Sequence, residues 1–230
     1  MVCFVSGIDT GVGKTVATGL MARYFVSRGV DAITIKMVQT GNDNFSEDLA
    51  AHRAICGGAT FPEDAAGLTA PQMFKFPASP HLAAKLEGRT VDLDAIASAV
   101  DRCAAAHEVV LVESAGGLAV PLTDEVLSAD FAASCGWPLV LVASARLGSV
   151  NHSILSLEVA RARGMEVLGV VFNEFPEVDP VLAADFPETM LRYLRTMGLP
   201  PNVVRMPRVP EGGPYPEVDF SPMFQNAMKL

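Results

Sequence analysis

The chain has 230 residues, of which 50% are hydrophobic and 19% are charged, and its formal net charge at pH 7 is −9. This composition indicates a globular protein, and we expect residues 1–230 to form one domain with a substantial core. A net negative charge without any Lys/Arg-rich run argues against a nucleic-acid-binding surface.

The ends and the cysteines of the chain favour a cytoplasmic protein. The N-terminus has neither a basic region nor a long apolar segment, so we expect it to belong to the fold rather than to a signal peptide. No apolar run approaches the roughly 18 residues that a membrane span needs, so we expect no membrane partner. Cys3, Cys56, Cys103 and Cys135 are scattered in or beside apolar stretches, which is typical of small core residues rather than metal ligands.

Short apolar runs alternate with helical patterns along the chain. The predicted strands are 2–6, 32–36, 108–113, 138–143, 167–173 and 203–206. The predicted helices are 14–28, 46–55, 80–86, 93–106, 149–163 and roughly 180–197. Several strands are apolar on both faces, so the alternation predicts an α/β fold: a doubly wound, mostly parallel sheet flanked by helices. In such sheets ligands bind at the carboxyl ends of the strands. The tail over 199–216 is rich in Pro and Gly, which favours a loop.

A glycine-rich turn follows the first predicted strand and opens a helix: Gly7-Ile8-Asp9-Thr10-Gly11-Val12-Gly13-Lys14-Thr15. The backbone N–H groups of such a turn and the helix N-terminus form a cradle for nucleotide phosphates. Lys14 is expected to reach the β- and γ-phosphates, and the Thr15 hydroxyl is expected to ligate Mg²⁺. The loop departs from the usual pattern, because five residues rather than four separate Gly7 from Gly13.

Polar residues follow the other predicted strands. Lys36 ends a buried strand, where a charge is costly unless it faces another charge; it either points at the same phosphates as Lys14 or is an ordinary surface lysine. Glu113 ends an apolar run at the position of the second Mg²⁺ anchor in phosphate-loop enzymes. Asp48 either complements a helix dipole or provides a third oxygen ligand. Thr40 is either a substrate-binding hydroxyl or a turn residue.

Two further features of the sequence are explained as well by ordinary local structure as by a binding site. The N–H groups of the turn around Gly148 and Ser149 either bind a carboxylate or simply cap a helix. His52 and His81 show no zinc-like spacing, and we expect them to make local hydrogen bonds.

Together these segments resemble the dethiobiotin synthetase family, whose members close the ureido ring in biotin synthesis at the expense of ATP. The matching segments occur in the family's order at 7–15, 36–41, 48, 78–81, 112–117, 147–152 and 172–173. The resemblance implies a phosphate-loop NTPase-like fold and an ATP- and Mg²⁺-dependent cyclo-ligase. It also implies the substrates, 7,8-diaminopelargonic acid and CO₂ or bicarbonate, and the products, dethiobiotin, ADP and phosphate, formed through a carbamic–phosphoric anhydride.

The resemblance implies a role for each matched residue. Thr10, Lys14 and Lys36 are expected to be catalytic, and Thr15, Asp48 and Glu113 to hold the metal. The expected nucleotide-binding residues, among which Asn173 reads adenine, are Gly11, Val12, Gly13, Lys14, Thr15, Val16, Asp48, Glu113, Ser114, Ala115, Gly116, Asn173, Glu174, Pro207, Arg208, Val209 and Glu211. The expected substrate-binding residues are Thr40, Gly117, Gly148, Ser149, Val150 and Asn151. The last four match a helix start that binds the substrate carboxylate across a dimer interface, which implies a homodimer.

The sequence departs from the family at three of these positions and leaves a rival open. Gly11, Met37 and Ser114 stand where the family often carries Glu, Pro and Gly, and Ser114 is expected to add a side chain near the metal. The rival is a MinD/ParA-type ATPase switch that binds protein partners. The loop of that class reads Lys-Gly-Gly-Val-Gly-Lys-Thr, but Asp9 replaces its first lysine here. Another ATP-dependent ligase of the same fold is a further alternative, since fold alone does not fix chemistry.

Overall fold

The computed structural model describes residues 1–175, 179–210 and 212–225. Its strands are β1 (Val2–Gly7), β2 (Ala32–Lys36), β3 (Gln39–Thr40), β4 (Met73–Phe74), β5 (Val109–Gly117), β6 (Leu139–Ser144), β7 (Val167–Asn173) and β8 (Val203–Met206). Six of them form one parallel sheet in the order β2-β5-β1-β6-β7-β8, and β3 pairs with β4 separately. Every residue of β2, β6 and β7 is buried, which explains why their sequences are apolar on both faces.

Helices cover both faces of the sheet. They are α1 (Lys14–Val26), α2 (Glu47–Ile55), α3 (Pro62–Ala65), α4 (Pro80–Leu86), α5 (Leu93–Ala106), α6 (Ser128–Ser134), α7 (Ser149–Ala162), α8 (Pro180–Thr196) and α9 (Ser221–Phe224). Cys3 and Val5 of β1 face the core that α1 and α9 complete, whereas Phe4 faces the core that α5, α6, α7 and α8 complete. The predicted doubly wound parallel sheet is therefore confirmed.

Most predicted element ends agree with the structure within one or two residues. The exception is β5, which continues to Gly117, so that Glu113 lies inside the strand rather than at its end. The predicted strand 203–206 is confirmed as β8, which pairs with β7 at the edge of the sheet and interrupts the loop expected over 199–216. The elements that sequence reasoning missed are short: β3, β4, α3, α6 and α9 each have seven residues or fewer. A periodic pattern repeats too few times in such segments to be recognised.

Across the described ranges, no helix is both long enough and apolar enough to span a membrane.

Candidate active site

A cavity of about 880 Å³ opens beside the glycine-rich loop and the carboxyl ends of β1, β2 and β5. Fourteen residues expected at the site line it, namely Thr10, Gly11, Gly13, Lys14, Thr15, Val16, Lys36, Thr40, Asp48, Glu113, Ala115, Gly116, Asn173 and Val209. Its other lining residues are Val38, Gln39, Pro77, Ala78, Ser79, Pro80, Val120 and Phe175. The fold thus brings most of the predicted site residues to one place.

The glycine-rich loop holds Lys14 at the floor of this cavity. Gly13 adopts φ 95°, a left-handed conformation that favours glycine, and it forms the N-cap of α1. The Lys14 ammonium donates to the Asp9 carbonyl at 2.9 Å. Burial, and secondarily the nearby Lys36 charge, lower the pKa of Lys14 from 10.5 to about 8. An anion in the cavity would therefore meet a poorly solvated cation.

Asp9, in the glycine-rich loop, forms an ion pair with a residue from another part of the chain. Its carboxylate pairs with Arg146, a residue that follows β6 and that the sequence did not single out. The Thr10 backbone N–H and, after it, the Arg146 guanidinium hold the pKa of Asp9 below its usual value. Asp9 stands where the MinD/ParA loop carries lysine, so this chain has an acid–base pair at that point.

Lys36, Asp48, Glu113 and Thr15 converge above Lys14. The Lys36 ammonium lies 2.6 Å from Asp48 Oδ2 and 2.7 Å from Glu113 Oε1. The Thr15 hydroxyl lies 2.7 Å from Asp48 Oδ1 and 3.1 Å from Glu113 Oε1. Lys36 is buried, so it is not the ordinary surface lysine of the alternative interpretation. Asp48 lies in the first turn of α2 and also contacts two site residues, so helix-dipole compensation is not its whole role.

Two carboxylates that both contact one hydroxyl are a donor set that suits Mg²⁺, which prefers oxygen ligands and takes few of them from a protein. Burial by itself would raise the pKa of Glu113, but the Lys36 ammonium and the His52 hydrogen bond outweigh burial and hold the pKa well below its usual range. Burial likewise opposes the charge of Lys36, yet Glu113 and Asp48 raise its pKa above its usual value. Lys36 and Glu113 are therefore kept in their charged forms.

An irregularity in β5 directly follows Glu113. Pairing runs from Val5–Glu113 directly to Gly7–Gly117, so one residue of β1 faces three residues of β5. Bulges of this kind bend a strand and are common beside active sites. The hydroxyl of Ser114 donates to Ser6 inside the sheet at 2.9 Å, and its carbonyl accepts from Lys36 at 3.1 Å. The Ser114 side chain thus contacts Ser6 and does not line the cavity. The expectation that it lies near the metal stays a prediction.

Asn173, the residue expected to bind adenine, makes hydrogen bonds within the protein. Its Nδ2 donates to the Val12 carbonyl at 3.0 Å, and its Oδ1 accepts from the Phe175 backbone N–H at 3.2 Å. Phe175, which sequence reasoning missed, lines the cavity with a half-exposed ring, and the Arg208 guanidinium lies 5.9 Å from that ring's centroid. The signal available in the sequence was an aromatic residue two positions after Asn173, just beyond a predicted strand.

The remaining expected residues lie outside the cavity lining. Val12, Ser114, Gly117, Glu174, Pro207 and Arg208 lie within two positions of a lining residue in the chain, whereas Gly148, Ser149, Val150 and Asn151 form the start of α7 and do not line the cavity of their own chain. Glu174 pairs with Arg205 at 2.6 Å. Glu211 lies outside the described residues, so its expected nucleotide contact stays a prediction.

Solved structures with the same fold are only distantly related in sequence. Cell division protein FtsY of Thermotoga maritima is 19% identical, with a TM-score of 0.55 over 97% of this chain and 66% of that chain. A ParA family ATPase of Chlorobium tepidum is 11% identical, with a TM-score of 0.50 over 91% of this chain and 85% of that chain. These similarities extend to the phosphate-loop NTPase fold alone, so the second gives no support to a partner-binding switch.

Sequence relatives are much closer. A family model described as an AAA domain matches residues 2–211. The ATP-dependent dethiobiotin synthetase BioD of Chlorobaculum tepidum is 47% identical over 84% of this chain and 81% of the relative. The ATP-dependent dethiobiotin synthetase BioD 2 of Haemophilus influenzae is 46% identical over 79% of this chain and 95% of the relative. With the phosphate loop and the charged cluster in place beside one cavity, this chain belongs to the family of ATP-dependent dethiobiotin synthetases, the ATP-using cyclo-ligases of biotin biosynthesis.

Proposed function

We propose that this chain converts 7,8-diaminopelargonic acid, CO₂ and ATP into dethiobiotin, ADP and phosphate, with Mg²⁺ as its metal. The observation that carries the proposal is the convergence of Lys14, Thr15, Lys36, Asp48 and Glu113 in one cavity beside the phosphate loop. We further propose that residues 1–230 act as one domain in the cytoplasm, with no nucleic-acid partner.

The proposed reaction has three steps. One amine of the diamine adds to CO₂ and loses a proton, which gives a carbamate. A carbamate oxygen attacks the γ-phosphorus of ATP, so that ADP leaves and a carbamic–phosphoric anhydride forms. The second amine attacks the anhydride carbonyl, loses a proton and expels phosphate, which closes the five-membered urea. Because both amines belong to one molecule, ring closure is intramolecular and needs no protein nucleophile.

In this proposal the protein acts by positioning and by charge. Lys14 and the N-terminus of α1 bind the β- and γ-phosphates. Thr15, Asp48 and Glu113 hold Mg²⁺, which when bound would neutralise charge on the transferred phosphoryl group. Lys36, held against both carboxylates, supplies positive charge to the carbamate, and Thr10 and Thr40 line the same space. The polar groups thus surround the oxygens on which negative charge develops.

We also propose a homodimer in which the start of α7 from one subunit binds the substrate carboxylate in the cavity of its partner. Its support is the position of Gly148–Asn151 at the N-terminus of α7, outside the cavity of its own chain. The first N–H groups of a helix have no partner within the helix, although Ser149 N–H here donates to the Arg146 carbonyl at 3.2 Å. A second support is the exposed apolar surface beside it, since Leu147 is 86% exposed and Leu155 is 57% exposed.

The direct test is to incubate the purified protein with MgATP, bicarbonate and 7,8-diaminopelargonic acid and to measure dethiobiotin by mass spectrometry. We expect product when all three are present and none when any one is omitted. The Lys36→Ala variant should bind ATP but lose turnover, whereas Lys85→Ala, which removes an exposed lysine of α4, should react normally. Normal turnover by Lys36→Ala would refute the role of Lys36. ATP hydrolysis that ignores the diamine, without dethiobiotin, would favour a MinD/ParA-type switch instead.

A further inference from the structure

A fully buried histidine lies behind the charged cluster. The Nε2 atom of His52, in α2, is 2.7 Å from Glu113 Oε2, and its Nδ1 atom is 3.0 Å from the hydroxyl of Thr34, in β2. Neither His52 nor Thr34 lines the cavity, and both are buried. His52 therefore touches no substrate, and any influence it has on the reaction passes through Glu113.

The hydrogen bonds of this group have a direction. Arg53 Nη1 donates to the Thr34 hydroxyl at 2.7 Å, and the Arg53 guanidinium is itself held by Asp64 through contacts of 2.9 and 2.6 Å. An arginine only donates and an ionised carboxylate only accepts. The Thr34 proton is thus free to point to His52 Nδ1, and His52 Nε2 must carry a proton that it donates to Glu113. The chain runs from Arg53 through Thr34 and His52 to Glu113, and each member has a partner.

The two carboxylate oxygens of Glu113 consequently contact different groups. Oε2 accepts from His52, whereas Oε1 faces the Lys36 ammonium at 2.7 Å and the Thr15 hydroxyl at 3.1 Å. Rotating the carboxylate about its last bond would break the contact with His52. His52 also lies four residues after Asp48, so the two side chains share a face of α2. One helix therefore places an expected metal ligand and the group that orients the other acidic ligand.

We propose that His52 is a positioning residue that, through the chain Arg53–Thr34–His52, orients Glu113 so that its Oε1 faces the Mg²⁺ site. This inference rests on the metal site of the proposed function, but not on the identity of the substrate. Hydrogen-bond partners behind metal ligands commonly govern metal affinity in this way. A histidine that only fills the core would instead stabilise the fold and leave metal binding unchanged.

Three variants separate these roles. His52→Gln keeps an N–H donor near the Nε2 position, His52→Leu removes it, and Thr34→Val keeps the ring but deletes the hydroxyl that faces Nδ1. The binding of Mn²⁺, used as the probe for Mg²⁺, is measured by electron paramagnetic resonance in the presence of a non-hydrolysable ATP analogue, beside thermal unfolding. We expect His52→Leu to weaken Mn²⁺ binding about 10- to 100-fold, Thr34→Val to weaken it less, and His52→Gln to recover most of the affinity. Nucleotide affinity without metal should not change.

A double-mutant cycle with Glu113→Gln isolates the route of the effect. If His52 acts through Glu113, the loss of Mn²⁺ affinity in the double variant His52→Leu/Glu113→Gln should be smaller than the sum of the two single losses. Additive losses in the double variant would overturn the proposal. So would wild-type Mn²⁺ affinity in all three single variants, Thr34→Val, His52→Gln and His52→Leu, provided that each of them folds. Should His52→Leu not fold, unchanged Mn²⁺ affinity in Thr34→Val would do so.

A measurement without metal or substrate checks the hydrogen-bond direction. Long-range ¹H–¹⁵N spectra of the wild-type protein should show a proton on Nε2 of His52, and a ring protonated on Nδ1 alone would contradict the chain. Because none of these readouts requires dethiobiotin, a protein that fails to make dethiobiotin can still confirm the role of His52. Conversely, an active enzyme with metal affinity indifferent to His52 would refute this inference alone.

Discussion

Lys14 and Lys36 are both buried in one cavity, but their surroundings shift their pKa values in opposite directions. Lys14 sits beside backbone groups and another cation, so burial dominates and lowers its pKa to about 8. Lys36 contacts the carboxylates of Asp48 and Glu113, which raise its pKa despite complete burial. Without a bound anion, the charge of Lys14 opposes folding, whereas the charge of Lys36 favours it.

The same substitution at these two lysines should therefore change stability in opposite directions. A shift from 10.5 to about 8 means that charged Lys14 costs about 3 kcal/mol at pH 7. This penalty is fully present below pH 8 and disappears as the pH rises from 8 to 10.5. We expect Lys14→Met to raise the midpoint of thermal unfolding at pH 7, measured with a chelator and without nucleotide, while nucleotide binding is lost.

Lys36→Met should lower the midpoint under the same conditions, because it leaves Glu113 buried without its cation, a change that typically costs about 3–5 kcal/mol. The contribution of Lys36 persists at all pH values below the ordinary lysine pKa and is lost only as the pH rises through its raised value. Equal destabilisation of both variants would show that the two lysines do not differ as described.

At the residue scale, the sequence identified the chemistry of the site better than its contacts. The glycine-rich motif and the strand-end position singled out Lys14, Thr15 and Glu113, since the ends of parallel strands meet at one edge, whereas the role of Asp48 stayed open between a helix-dipole charge and a metal ligand. It left the role of Lys36 open, because burial depends on the elements packed above a strand and not on its own residues.

The glycine-rich loop is the element on which nucleotide binding depends, and its two left-handed glycines differ in their surroundings. Gly11 has φ 70° and Gly13 has φ 95°. A Cβ added at Gly11 would meet no atom within 4 Å, whereas one at Gly13 would overlap the Asn173 amide nitrogen. The open space at Gly11 agrees with the side chain that the family often carries there.

Alanine substitutions should separate these two glycines. Gly11→Ala should cost only the left-handed conformation, about 1–2 kcal/mol in chemical denaturation, and should retain nucleotide binding. Gly13→Ala should cost more, because it must also displace Asn173 from the Val12 carbonyl and so disturb the loop. A fluorescent ATP analogue measures the binding. Similar behaviour of the two variants would mean that Asn173 does not brace the loop.

Elements with long, strongly patterned sequences were predicted almost to the residue, as α5 and β7 illustrate. The course of β5 beyond Glu113 was missed, because its two extra residues are visible only against the neighbouring β1. The contact of His52 with Glu113 was missed for a related reason. It joins residues 61 positions apart, and local periodicity contains no information about such pairs.

At the scale of the whole molecule, the proposed dimer makes a separate prediction. Leu147→Glu should place a charge in the apolar surface beside the start of α7 and convert a dimer into a monomer, as measured by light scattering coupled to size exclusion. Val26→Glu, at an exposed apolar position of α1 on the other face of the sheet, should leave the dimer intact. A wild-type monomer at micromolar concentration, or a Leu147→Glu dimer, would contradict the proposed interface.

Local sequence determines the order of strands, helices and polar strand ends, through apolar runs, glycines and charges. The α/β class, the phosphate loop and the family could therefore be recognised without a structure. Which charges become buried neighbours is a long-range property. Lys36, Asp48, His52 and Glu113 come from three elements, and their contacts arise when α2 docks over the ends of β2 and β5. These contacts set the pKa values of Lys36 and Glu113, because electrostatics in a buried cluster depend on distances that no local pattern encodes.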